Sequence, residues 1–254
     1  MTVLDSAEAL EWYYSALAKA PPELRGGIHC SDVVGTPGWD CDRYVQFVAL
    51  NAGTNSVESR KHWIKRWKIG EGVHNMTYDH IELALEMWCA ETGVIIEEVI
   101  IEEVLEDKVS GLVCTPDIVI KYRIKAGAPL RTQVLDIKSL SHAGWKNMQG
   151  VNGIRISANY LRQIMMYGDL ITDITGSKVD EAAFLFITVD KPYQHVLKFV
   201  PPTGRILEHT RARIARIEKI TESGQYASKT ESTRDCADCI FLTECTKVDR
   251  SVAT

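Results

Sequence analysis

No stretch of this sequence approaches the ~20 consecutive apolar residues that a membrane-spanning helix requires. The opening residues, Met1-Thr-Val-Leu-Asp5, lack the basic-then-apolar pattern of a secretory leader. Both absences lead to the expectation of a cytoplasmic protein with no membrane partner. An excess of positive charge is missing too, since 29 Lys and Arg stand against 34 Asp and Glu, a net charge of −5. Phosphate contacts supply most nonspecific nucleic-acid affinity, which counts against a protein that merely coats DNA. An enzyme whose metal ions provide local positive charge is not excluded. The seven cysteines are odd in number, and in a reducing compartment they do not make a disulfide framework. A compact zinc finger is also lacking, because Cys236, Cys239 and Cys245 form a trio with no close second pair.

What remains is ordinary globular material. With 45% apolar and 25% charged residues over 254 positions, the chain can bury a sizeable core as one large domain or one domain with an appended lobe. The chemistry is concentrated in residues 114–140. Pro116-Asp117 leads an apolar β-branched run, as a proline can at the head of a strand but not in its middle. Farther on, Gln133-Val-Leu-Asp-Ile-Lys-Ser-Leu140 alternates. A strand has a period of two, so Val134, Asp136 and Lys138 share one face and Leu135 and Ile137 the other. Gly127 and Pro129 mark the turn between the two strands. Two carboxylates that can hold a hard cation, beside a lysine that orients or helps activate a water, suit metal-assisted phosphodiester cleavage.

The flanking segments carry further signals. Residues 6–20 are expected to form an amphipathic helix ended by Pro21-Pro22, and residues 26–42 a loop. Residues 60–68 are the most basic stretch. Trp63, Arg66 and Trp67 there suit a single-strand stacking platform, and equally a packed amphipathic helix with solvated lysines. Over residues 70–92 a helix places His74, Tyr78, Ile81, Leu85 and Trp88 on one inward stripe, with His80 as a competing inward histidine. Paired glutamates in residues 94–105 predict a bulge near Glu97-Glu98, and Glu102 and Glu103 are expected as surface carboxylates, the alternative being that one of them reaches a metal. Residues 141–153 are expected to be a loop in which Trp145 and Lys146 reach substrate. Over residues 154–172 a helix sets Tyr160, Gln163 and Tyr167 on one face. Strands follow at 181–190 and 194–200, then a helix at 204–222 whose Arg205, Arg211, Arg213, Arg216 and Lys219 form either a phosphate-facing ridge or a solvated face. Cys89 and Cys114 are expected to be core thiols.

Together, Pro116-Asp117 and Asp136-Ile-Lys138 resemble the paired motif of the PD-(D/E)XK nucleases, with Asp136 where glutamate is commoner. Gln163-Ile-Met-Met-Tyr167 resembles the Gln/Tyr helix of their RecB-like branch, and Gly70-x-x-x-His74 its histidine motif. The trio Cys236, Cys239 and Cys245, with Ser31-Asp32 and Cys41-Asp-Arg43 far upstream, is similar to the iron–sulfur members: the CRISPR-associated RecB-like exonucleases, the AddB subunit and exonuclease V. The resemblance spans residues 30–246 in motif order.

That resemblance implies one nuclease domain over residues 1–254. Its parts are an N-terminal helical part (1–59), a nuclease core (60–200) and a C-terminal helix with the cysteine trio (201–254). The implied fold is α/β, a mixed central sheet flanked by helices with an iron–sulfur staple joining the two ends of the chain. The implied activity is divalent-metal-dependent exonucleolytic cleavage of DNA, single-stranded by preference, in recombination, repair or phage DNA metabolism, with recombination or repair proteins as partners. Mg²⁺ or Mn²⁺ would be held by His74 (or His80), Asp117 and Asp136, with Lys138, Gln163 and Tyr167 completing the site. Cys41 (or Cys30), Cys236, Cys239 and Cys245 would hold a [4Fe–4S] cluster, or alternatively Zn²⁺. A non-catalytic iron–sulfur DNA-binding or assembly factor and a structure-specific endonuclease are the rival readings.

Overall fold

In the computed structural model, the described residues are 28–35, 38–50, 57–150, 153–190, 194–230, 236, 239 and 241–252; for 57–67, 150 and 250–252 the description covers the backbone only. The expected helix over 6–20 lies outside them. Trp63, Arg66 and Trp67 fall on a helix, but their side chains also lie outside the described part.

In chain order the elements are β1 (Ile28–His29), α1 (Cys30–Val34), a 3₁₀ turn (Gly38–Asp40), α2 (Asp42–Ala49), α3 (Val57–Thr92), β2 (Ile95–Ile101), β3 (Leu105–Glu106), β4 (Leu112–Cys114), β5 (Ile118–Arg123) and β6 (Arg131–Leu140). They continue with α4 (His142–Met148), β7 (Gln149–Gly150), β8 (Gly153–Ile154), α5 (Ala158–Thr175), β9 (Glu181–Thr188), β10 (His195–Val200), α6 (Ile206–Glu222) and α7 (Leu242–Val252).

The main sheet runs β10-β9-β6-β5-β2. It is antiparallel except where β6 lies parallel to β9, with Asp136 opposite Phe184 and Lys138 opposite Phe186. A parallel pair needs a crossover, and the chain between these strands supplies α5 for it. Alternating side chains divide the sheet into two faces. Val119, Val134, Ala182, Phe184 and Phe186 face a core built with α1, α5 and α6. Ile118, Ile120, Tyr122, Leu135, Ile137 and Ile187 face the opposite way, against Val73, Tyr78, Ile81 and Leu85 of α3. Helices thus flank a mixed sheet, the expected architecture. Among the described residues no helix is long and apolar enough to cross a membrane.

The expected bulge is present, as the β2–β5 register shifts between Ile96 and Glu98. The turn after β5 uses Gly127 at φ 76°. Several expectations need correction, the first being the loop over 26–42, whose described part forms β1, α1 and the 3₁₀ turn. Residues 142–148 are helical rather than loop, because the Ser141 hydroxyl accepts from the Gly144 N–H and caps the turn. Burial of Trp145 on that helix takes it away from substrate. The basic segment and the histidine helix are one 36-residue helix, α3, continuous through Gly70 and Gly72. Arg213 is not a phosphate-facing side chain: it is 4% exposed and bonds Asp42 Oδ1 (2.6 Å) and the Val33 and Gly38 carbonyls. Cys114 is fully buried as expected, whereas Cys89 is only half-buried.

Helices α5 and α6 meet closely. A Cβ on Gly168 would stand 1.8 Å from the Pro202 carbonyl oxygen, so only glycine permits this approach. The next residue along α5, Asp169, accepts through its carboxylate from the Gly204, Ile206 and Leu207 N–H groups and caps α6 from its neighbour. A separate small core of Phe47, Phe241 and Val248 joins α2 to α7.

Candidate active site

The site forms where β5 begins beside β6. Antiparallel pairing sets Ile118 opposite Leu135. Asp117, one residue earlier, therefore comes beside the next turn of the β6 backbone. Its Oδ2 accepts from the Ile137 N–H at 2.5 Å. Two residues apart on β6, Asp136 and Lys138 point the same way, and Lys138 Nζ stands 2.7 Å from Asp136 Oδ2.

Helix α5 brings the next members. Lys138 Nζ donates to Gln163 Oε1 at 3.0 Å, and Gln163 Nε2 donates to the Tyr167 hydroxyl at 2.6 Å. Residues four apart lie on one helical face, which is why Gln163 and Tyr167 form this link. Tyr160, one turn earlier, lies under the Lys138 ammonium, 5.0 Å from Nζ to the ring centre. Asp117, Asp136, Lys138, Gln163 and Tyr167 are thus brought together from two strands and a helix.

Helix α3 closes the other side with His74. Its Nε2 is 3.1 Å from the Ile137 carbonyl oxygen, and its Nδ1 is 3.5 Å from Asp117 Oδ1. His80 is exposed and does not join the group. Tyr78, expected only as a packing residue, stands 3.4 Å from His74 Nδ1 and donates to Glu102 Oε1 at 3.1 Å. Glu102, expected at the surface, is exposed yet reaches the site through this bond. The stripe that assigned Tyr78 to the inward face carried the signal for it, whereas the sequence offered Glu102 only as the alternative to a surface carboxylate.

Burial shapes the electrostatics. The Asp117 carboxyl is pushed well up by burial and then by Asp136 beside it. Burial works against the Lys138 ammonium, but Asp136 and Asp117 outweigh it and hold its pKa above the ordinary value. His74 is lowered by burial and by Lys138, which keeps the imidazole neutral. Burial also raises the Tyr167 and Tyr78 phenols, so both remain donors.

These residues fit a hard divalent cation. A neutral imidazole is the form that ligates. Two ligand atoms about 3.0 Å apart form one edge of an octahedron with bonds of ~2.1 Å, and His74 Nε2 and the Ile137 carbonyl oxygen are 3.1 Å apart. Among the described residues, however, no three His, Cys, Asp or Glu side chains already stand in joint ligand geometry. Asp117 and Asp136 are engaged by the Ile137 N–H and Lys138 instead.

Cys41, Cys236, Cys239 and Cys245 line one cavity of ≈ 30 Å³ between α2 and the start of α7. Cys30 is not among them and packs against Cys114 in the main core. The Phe241 N–H points to Cys239 Sγ at 3.4 Å, and Arg43 Nη1 lies 3.5 Å from Cys245 Sγ. Donors of this kind favour thiolates, but burial outweighs them at Cys239 and pushes its thiol up.

No family model and no curated protein sequence matches the chain. Among solved structures, that of SSO0001 aligns at 16% identity and TM-score 0.45, covering 94% of this chain and 95% of that one. An alkaline exonuclease from Laribacter hongkongensis aligns at 13% identity and TM-score 0.43, covering 84% and 93%. A protein from Eubacterium rectale aligns at 11% identity and TM-score 0.42, covering 93% and 92%. At such scores the likeness carries no weight for function, which rests on the geometry of the site.

Proposed function

We propose that this protein is a divalent-metal-dependent DNA exonuclease acting on single strands, in recombination, repair or phage DNA metabolism. The observation that carries the reading is the unbroken chain of contacts Asp136–Lys138–Gln163–Tyr167, with Asp117 and His74 facing it across Ile137. His74 Nε2, Asp117, Asp136 and the Ile137 carbonyl would hold Mg²⁺ or Mn²⁺. The imidazole favours manganese, since imidazole binds later transition ions better than magnesium. Such an ion polarises a phosphodiester and lowers the pKa of a water.

The chain's own residues do the rest. Lys138, held charged by Asp136 and Asp117, offers positive charge to the scissile phosphate. Gln163 fixes the lysine's direction, and Tyr167 fixes Gln163. The same contacts weigh against a binding-only relative of this fold, which has no need of a lysine held against a buried carboxylate.

The four cysteines would clasp the two ends of the domain, as a [4Fe–4S] cluster or as a single Zn²⁺. Metal analysis and the visible spectrum separate the two.

The test of activity is digestion of end-labelled single-stranded, double-stranded and circular DNA with Mn²⁺ or Mg²⁺. Loss of linear single strands with the circle intact is expected, and Lys138→Ala should abolish it. Cutting of the circle would replace the exonuclease with an endonuclease, and undiminished cutting by Lys138→Ala would remove the proposed mechanism.

A further inference from the structure

Glu102 is one of only two non-glycine residues with positive φ among the described residues, at 51°. An L-side chain there is strained, and glycine would hold the same turn without strain. The backbone at this point is otherwise secured, because the Glu102 N–H donates to the Asp117 carbonyl at 3.1 Å. What the glutamate side chain adds is one bond, accepted at Oε1 from the Tyr78 hydroxyl. Strain kept where glycine would serve points to a use for that carboxylate.

The use follows from counting protons. The Tyr78 hydroxyl has one proton. If Glu102 takes it, at 3.1 Å, the phenol oxygen turns a lone pair toward His74 Nδ1, 3.4 Å away. Asp117 Oδ1 lies 3.5 Å from the same nitrogen and is a second acceptor when its carboxylate is ionised, as it would be with a cation bound. Two acceptors facing Nδ1 favour the tautomer protonated there. Nε2 then carries the lone pair, and it faces the Ile137 carbonyl oxygen at 3.1 Å. Two lone pairs at that separation repel unless a cation lies between them. Without the Glu102 acceptor, Tyr78 donates to Nδ1, the proton moves to Nε2, and Nε2–H simply bonds the Ile137 carbonyl.

Resting on the cation reading above, we propose that Glu102, acting through Tyr78, is a positioning residue that selects the Nδ1-protonated tautomer of His74 and leaves Nε2 free to hold the divalent ion. The hydrogen-bond partner on a ligating histidine's second nitrogen has this effect in general, and its loss weakens metal binding.

The test uses the full chain without DNA. Mn²⁺ affinity is read from the electron-paramagnetic signal of free Mn²⁺, and the His74 tautomer of the metal-free protein from long-range ¹⁵N–¹H correlation. Tyr78→Phe and Glu102→Gly should each weaken Mn²⁺ binding about tenfold and shift the ring toward the Nε2–H form. Glu103→Gln should change neither. Glu102→Gly should melt at or above the wild-type temperature, an outcome that a structural role for the carboxylate does not allow. Wild-type tautomer and affinity in both variants would overturn the inference while leaving the cation site standing. If His74→Ala also binds Mn²⁺ like wild type, the cation reading and the inference fall together.

Discussion

Replacing Asp117 with asparagine should make the metal-free protein more stable while abolishing cleavage of DNA. Asp117 is 8% exposed and lies beside the fully buried Asp136. Burial and that second carboxylate raise its pKa to about 8. A carboxyl raised on folding contributes its full stability below the open-chain pKa, and that contribution is lost as pH rises toward 8. At pH 7 the ionised reference form lies three units above an open-chain value near 4, a ceiling of about 4 kcal/mol at 1.36 kcal/mol per unit. Asparagine has the same shape and its Oδ1 can still accept from the Ile137 N–H. Its new amide protons need acceptors in a buried place, which offsets part of the gain, so about 1–2 kcal/mol should remain. In a domain of this size that is about 3–6 °C in melting temperature. The assay is thermal unfolding in chelator at pH 5, 6, 7 and 8, repeated with excess Mn²⁺. The gap between variant and wild type should widen with pH, and Mn²⁺ should raise only the wild type, since a ligand stabilises the state it binds. A lower melting temperature for the metal-free variant, or equal stabilisation of both proteins by Mn²⁺, would refute the electrostatic reading of the site.

Three further outcomes test the frame around the site. Arg213→Met should destabilise by about 3–5 kcal/mol, because it leaves buried acceptors without their cation, and Arg216→Met on the exposed side should cost far less; urea unfolding of both separates a structural Arg213 from the phosphate ridge. Arg211 holds the Asp107 carboxyl down to about 2. That contribution is present above the open-chain pKa and is lost as pH falls through the folded value, so an Arg211→Met variant should be less stable by at most about 2 kcal/mol near neutrality, with the deficit shrinking below about pH 4. Cys41→Ala should lower the iron or zinc bound per chain, and Cys30→Ala should not; equal loss in both would move the fourth thiol to the core pair.

Much of the site was legible because its parts are local. Asp136 and Lys138 share a face through the two-residue period of a strand, and Gln163 and Tyr167 through the four-residue step of a helix. The Glu97-Glu98 pairing marked the bulge for the same reason, since two outward side chains in succession cannot both obey the alternation. Helix α4 was missed because its cap is a single serine and its seven residues hold one buried anchor, Trp145, too little for periodicity to register. The buried Arg213 was missed because a charged side chain on an amphipathic helix looks solvated until its partners are known, and Asp42, Val33 and Gly38 are remote in sequence.

By itself, then, the sequence determined which strands and helices carry the carboxylates, the lysine and the glutamine–tyrosine pair, because backbone periodicity sets those faces without help from the rest of the chain. Three choices that the sequence ranked or left open were made by the tertiary structure. His74 rather than His80 meets the Ile137 carbonyl, Cys41 rather than Cys30 joins the C-terminal trio, and Glu102 reaches His74 through Tyr78. Each pairs groups on elements distant in the chain, whose approach depends on how α3, α2 and the sheet pack, and no local pattern encodes that distance.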